Sequence, residues 1–125
     1  MRASPSVNRM TDLFAFKLLR PAEWADWRDS RLFTGAPVDV ADGYIHLSVR
    51  DQVRETAAKW FADVDPAILA MIDLVALGDT VRWEPARGGA LFPHVYGAIP
   101  LEAVAGHSVL RLGADGKHVF PAGFD

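Results

Sequence analysis

The sequence predicts a small single-domain α+β protein with two or three helices and five or six short strands. Three observations lead there. Residues 43–48, 81–85 and 91–97 alternate polar and apolar side chains with the period of a strand. The stretch from about Val49 to Phe61 instead carries Val53, Ala57, Trp60 and Phe61 at helical spacing, with Arg50, Arg54 and Lys59 opposite. The βα order that opens the chain does not continue, which argues against a Rossmann sheet.

In chain order, residues 1–11 are a polar lead without the apolar stretch of a secretory signal, and are expected to be disordered. The domain is expected over 12–112. Leu13 to Leu19 reads as a strand apolar on both faces, with Lys17 the one intrusion. Arg20-Pro21-Ala22-Glu23 opens a helix, since proline in the first turn lacks only an N–H that the helix does not use. Trp24, Trp27 and Arg31 share a face of it. Phe33 to Asp42 reads as a loop holding Gly35 and Pro37 and ending in an Asp42-Gly43 turn. Tyr44 to Leu47 is the second strand. Ser48, three residues before Asp51, gives a capping-box-like start to the helix of 49–61. Ala67 to Val75 is a strand buried on both faces and interrupted by Asp73. Val81–Glu84 and Phe92–Tyr96 flank a Gly88-Gly89 loop, Pro100–Val104 is a turn, and His107–Leu112 is the last strand. Residues 113–125 read as an irregular C-terminal tail.

Composition narrows the function. The net charge is −3, and lysine and arginine are scattered. A nucleic-acid binder needs a basic stripe to displace counterions from phosphates, so no nucleic-acid partner is expected. Without cysteine, disulfides, thiolate nucleophiles and cysteine-based zinc sites are excluded, which suits a cytoplasmic protein. No apolar run approaches the roughly 20 residues that span a bilayer, so no membrane partner is expected. A small-molecule ligand is the expected partner. Trp24, Trp27 and Phe33 offer a surface for a homodimer or another protein.

The alternating segments carry the chemistry. One strand face has Tyr44, His46 and Ser48, another Arg82 and Glu84, a third Phe92, His94 and Tyr96. A core has no use for an imidazole, a guanidinium and a carboxylate at such positions, because burying them unpaired is costly. A pocket has. His46 stands where a strand runs into a helix N-terminus, whose free N–H groups suit an anion. Ser48 shares its face, as a ligand contact or a helix cap. Glu84, between Trp83 and Pro85, is either half of an edge salt bridge with Arg82 or a carboxyl kept dry enough for a raised pKa and acid–base work. His94 follows Pro93, whose fixed φ aims the strand, and Tyr96 adds a hydroxyl on its face. Lys17 either snorkels to the surface or meets an anion in the pocket. His107 and His118 have no partners in sequence. His46, His94 and Glu84 would make a two-histidine, one-carboxylate set, but no His-x-His or His-x-x-x-His spacing supports it and no metal is expected. Gly-x-Ser-x-Gly, Walker and Gly-x-Gly-x-x-Gly motifs are absent.

Taken together and in order, Gly-Tyr-Ile-His-Leu-Ser, Arg-Trp-Glu-Pro and Leu-Phe-Pro-His-Val-Tyr-Gly resemble the small bacterial family catalogued as domain of unknown function nine-five-two. The resemblance runs from about Phe16 to Val104 and takes in the helix after Ser48, Met71-Ile72-Asp73 and Pro-Leu-Glu-Ala-Val. It implies a fold similar to that of ADP-ribosyltransferases, in which a split, strongly bent β structure holds NAD in a cleft. The chain would then bind NAD, as a substrate, or a related nucleotide-like anion. In such transferases a basic residue on the first core strand holds the nicotinamide ribose, a part that falls to Lys17. A hydroxyl or aromatic on the next strand contacts the dinucleotide, which points to His46 and Ser48. A late glutamate stabilises the ribosyl cation left when nicotinamide departs; Glu84 is the nearest match, with His94 on the alternative strand. The paired-acid or Gln-x-Glu signature of those enzymes is missing. Residues and resemblance together give Glu84 and His94 as catalytic, and His46, Ser48, Tyr96, Arg82 and Lys17 as ligand-binding. A non-catalytic binding or protein-interaction module is the alternative use of the same residues.

Overall fold

The structure, a computed structural model, describes residues 13–124, so the expected lead at 1–11 lies outside the described residues. In chain order the elements are β1 (Phe14–Leu19), α1 (Pro21–Ser30), β2 (Leu32–Phe33), α2 (Pro37–Asp42), β3 (Ile45–His46) and α3 (Arg50–Trp60). They continue with β4 (Ala67–Asp73), α4 (Leu74–Leu77), β5 (Val81–Pro85), β6 (Leu91–Val95), β7 (Ile99–Pro100) and β8 (Val104–Leu110). The strands pair antiparallel in three small sheets, β1-β4-β8, β2-β7 and β3-β6-β5, which makes a mixed α+β domain.

The strands β1 and β4 read as apolar throughout because each faces a core on both sides. Ala15, Leu19, Ile68, Ala70 and Ile72 point into one core with Trp24, Trp27 and Phe33. Phe16, Leu18, Ala67 and Leu69 point into another with Val53, Ala57 and Phe124. Trp24 and Trp27 meet edge to face at 5.6 Å, and Trp27 stacks on Phe33 at 4.7 Å. Truncating any of these rings would cost about 3–5 kcal/mol in lost transfer energy and cavity. The expected partner surface is thereby corrected: Trp24, Trp27 and Phe33 are 5%, 1% and 6% exposed and belong to the core.

The sheets are joined at one point that matters for the site. Phe16 of β1 and Ser48 exchange two backbone hydrogen bonds, 2.7 and 2.9 Å, in an isolated bridge apart from the strand pairings of the three sheets. This bridge fastens the chain after β3 alongside β1, and the start of α3 with it.

Four expectations about local structure change. The expected loop of 33–42 contains β2 and α2; Pro37 stands in the first turn of α2, and Asp39 accepts the Ala36 N–H at 2.8 Å. Six residues with two valines give no helical stripe, which is why the sequence pattern misses it. Ser48 is not the cap of α3. Val49 is, and Gln52 accepts its N–H at 3.0 Å, as Glu23 does for Arg20 at 2.8 Å before α1. Asp73 ends β4 by capping α4, accepting from the Val75 and Ala76 amides. His118, without a partner in the sequence, finds one in the fold. It is buried and hydrogen-bonds through Nε2 to the Val64 carbonyl at 2.7 Å, while Phe120 and Phe124 of the tail pack around the guanidinium groups of Arg50 and Arg54. Among the described residues no helix is long and apolar enough to cross a membrane.

Candidate functional site

The sheet β3-β6-β5 turns three separate strand faces into one. His46 and His94 are direct partners across β3 and β6, and Arg82 of β5 pairs with His94 from the other side. Gly43 ends α2 with φ of 88°, a conformation L side chains rarely adopt, and its N–H bonds to the Asp39 carbonyl at 2.9 Å. The reversal delivers Tyr44 onto both histidines: its ring stacks on His94 at 4.1 Å and lies 4.7 Å from His46 and 5.3 Å from Tyr96. The two imidazoles stand 5.5 Å apart, nearly perpendicular.

His46 is held by α2. Its Nδ1 is 2.6 Å from Asp39 Oδ1, its Nε2 2.9 Å from Asp42 Oδ2, and its backbone N–H donates to Asp39 Oδ1 at 3.0 Å. Asp39 is itself buried against Lys17, whose ammonium lies 3.1 and 2.9 Å from its two carboxylate oxygens. Lys17 spends its third proton on the His46 carbonyl at 3.0 Å. Burial alone would raise the pKa of Asp39, but the hydrogen bonds from His46 and the charge of Lys17 outweigh it and hold the carboxyl at about 2. Burial lowers the pKa of Lys17 against the opposing pull of Asp39.

His94 is held from the opposite side, by β5. Its Nδ1 is 2.7 Å from Glu84 Oε1, and the Tyr96 hydroxyl donates to the same carboxylate at 2.8 and 3.1 Å. These hydrogen bonds lower the pKa of Glu84, which corrects the expectation of a raised one: Glu84 is not kept dry by its aromatic neighbour but is partly open to solvent and doubly hydrogen-bonded. The hydroxyl of Tyr96 is correspondingly harder to ionise. His94 is 3% exposed; desolvation lowers its pKa, and the attraction of Glu84 offsets this only in part. Arg82 lies over the Tyr96 ring at 5.0 Å.

Both histidines line one cavity of about 660 Å³. Its walls are largely apolar, with Phe16, Leu18, Pro37, Val38, Phe61 and Phe92 prominent, and its polar lining includes Ser48, Thr56, Asp42, Lys17 and Arg20. Ser48 Oγ is 3.0 Å from Thr56 Oγ1. Of the residues expected at the site, His46, Ser48, His94 and Lys17 line the cavity. Glu84, Tyr96 and Arg82 do not line it: Glu84 meets it through His94, Tyr96 bonds to Glu84, and Arg82 lies over the Tyr96 ring. The backing pair Asp39 and Asp42 escaped sequence reasoning; two aspartates three residues apart, just before the Gly-Tyr-Ile-His segment, were the available signal. Among the described residues no group of three or more histidine, aspartate or glutamate side chains is placed to hold a metal ion.

Residues 18–107 match the model of a protein family of unknown function, DUF952. The chain belongs to the DUF952 family. The same architecture is found in the crystal structure of protein CC0527 from Caulobacter crescentus, 40% identical, with a TM-score of 0.81 over 85% of this chain and 93% of that one. The solution NMR structure of CC0527 gives a TM-score of 0.74 at 41% identity, covering 83% and 90% of the two chains. No curated protein matches the sequence. The matched DUF952 segment contains both histidines and the three carboxylates that touch them, Asp39, Asp42 and Glu84, and Lys17 only just precedes it.

Proposed function

We propose that the cavity binds a nucleotide-like anion of the NAD or ADP-ribose kind and that His94 acts on it as an acid or base. One observation carries the reading: two imidazoles from paired strands, each with a carboxylate on Nδ1, open on the same aromatic-walled cavity. A carboxylate on Nδ1 fixes the tautomer and leaves Nε2 as the working nitrogen. In His46 that nitrogen already meets Asp42, so His46 and Asp42 together suit the hydroxyls of a ribose. In His94 it is the nitrogen left for a ligand, and the lowered pKa keeps the ring neutral near pH 7, ready to take a proton.

The likeness to ADP-ribosyltransferases enters here as a reaction class. In such a transfer the bond from the ribose to nicotinamide breaks with its electron pair leaving on nicotinamide, and the acceptor attacks the ribosyl cation as its proton passes to a base. The carboxylates lining the cavity are Asp42 and Glu23, so Asp42 takes the part of facing the cation, and Glu84 works through His94 as a positioning residue.

Calorimetric titration with NAD, ADP-ribose and nicotinamide, followed by an assay for nicotinamide release, tests this. Binding of ADP-ribose that His46→Ala weakens at least tenfold, with His94→Gln binding normally but releasing no nicotinamide, is the expected result. Binding without release in the wild type would leave a binding module. No binding of any nucleotide, or binding indifferent to His46→Ala, would overturn the reading.

A further inference from the structure

The cavity has a second end that none of this chemistry uses. Phe16, Ser48 and Thr56 meet at one level, through the Phe16–Ser48 bridge and the Ser48–Thr56 contact. One helical turn further along α3 come Lys59 and Trp60, then Phe61. Past the end of β1 comes Arg20, roughly 10 Å along the strand from Lys17. The two directions converge, because the Arg20 guanidinium lies 5.5 Å from the Phe61 ring. Arg20, Lys59, Trp60 and Phe61 all line the cavity, with Glu23 beside them.

This end has the character of an anion subsite. Among the described residues neither Arg20 nor Lys59 is paired with a carboxylate, whereas Lys17 and Arg31 each hold one. The Glu23 carboxylate is engaged by the backbone N–H of Arg20 at 2.8 Å. Trp60 is 62% exposed, an indole face left open at the rim of a cavity. Two cations and an open ring match a phosphate joined to a flat base, and the span to the histidines suits a ligand with polar groups at both ends.

We infer that Arg20, Lys59 and Trp60 bind the adenylate half of the ligand, with the pyrophosphate between the two cations and adenine on the indole, so that the far ribose reaches His46 and His94. The inference rests on the nucleotide reading of the cavity. It assigns binding residues on α3 and at the β1–α1 junction, away from the histidines.

Calorimetric titration of the full chain with ADP-ribose, AMP and adenosine separates the two ideas. Arg20→Gln/Lys59→Gln should weaken ADP-ribose and AMP about tenfold or more while adenosine changes little, since only the phosphates meet the lost charges. Trp60→Ala should weaken all three. His46→Ala should weaken ADP-ribose but spare AMP. All of the substituted outer residues are exposed, and an unchanged melting temperature verifies that the fold is intact. ADP-ribose binding that falls in His46→Ala but is unchanged in the double variant overturns the subsite and leaves the nucleotide reading standing. Absence of ADP-ribose binding in the wild type overturns both.

Discussion

The two histidines of the cavity are cross-strand partners with a carboxylate each on Nδ1, yet their carboxylates sit in opposite surroundings. Asp39 is 1% exposed, clamped by Lys17, His46 and the Ala36 amide; the Glu84 side chain is 34% exposed and held by His94 and a tyrosine hydroxyl. The same two groups at the same spacing therefore have different work. A buried carboxylate with a buried cation beside it fixes where α2 and β3 meet. A carboxylate outside its histidine leaves that ring free to titrate and merely aims it. Burial, not the identity of the pair, decides which carboxylate anchors the fold and which only orients its histidine.

The comparison breaks first on stability. Asp39→Asn leaves the Lys17 charge buried without its counterion and should cost about 3–5 kcal/mol, as removal of one partner of a buried pair does. Glu84→Gln should move the denaturant midpoint far less, because water reaches that pair. Equal losses in the two variants would show that the environments do not differ in energy.

Acid unfolding sharpens the same contrast. The Asp39 pKa falls from 3.8 to about 2 on folding, so the unfolded chain binds its proton first. The stability this group contributes is complete above pH 4 and drains away as pH falls toward 2. At about 1.4 kcal/mol per unit the loss is about 2 kcal/mol. Chemical denaturation at pH 5, 3 and 2 should show this loss in the wild type and not in Asp39→Asn. His94 gives a weaker effect at higher pH: its folded pKa lies below 6.5, so stability declines as pH falls below 6.5, and His94→Gln should flatten that limb.

How much of this was legible in the sequence depends on the reach of each signal. The period-two alternation of 43–48, 81–85 and 91–97 is local; it sets Arg82 with Glu84 and Phe92 with His94, and these are the positions that pair across β5 and β6. That those faces form one sheet needs the pairing of β3 with β6, which no local pattern states. Asp39 was missed because α2 has six residues and its anchoring side chain lies at the third helical position of a segment that reads as loop. The tryptophans of α1 read as a surface in sequence, because a helix covered by a sheet and one that docks a partner show the same stripe. Alternation fixes a face but not the depth at which that face is covered, so it does not separate His94, which lines the cavity, from Glu84, Tyr96 and Arg82, which do not.

The smallest expected effect is the most specific. Tyr96 donates to Glu84, and Glu84 accepts from His94, so the phenol and the imidazole draw on one carboxylate. Tyr96→Phe removes one donor and leaves more of the negative charge for the imidazolium, so the pKa of His94 should rise. Glu84→Gln removes the charge altogether, and burial, no longer opposed, should carry the pKa of His94 lower still. Opposite displacements from two substitutions in one chain of hydrogen bonds can be followed in the imidazole resonances of His94 as pH is varied. If both substitutions move the His94 resonances in the same direction, the Glu84 charge is not what opposes burial at that ring, and the chain of hydrogen bonds does not set its protonation.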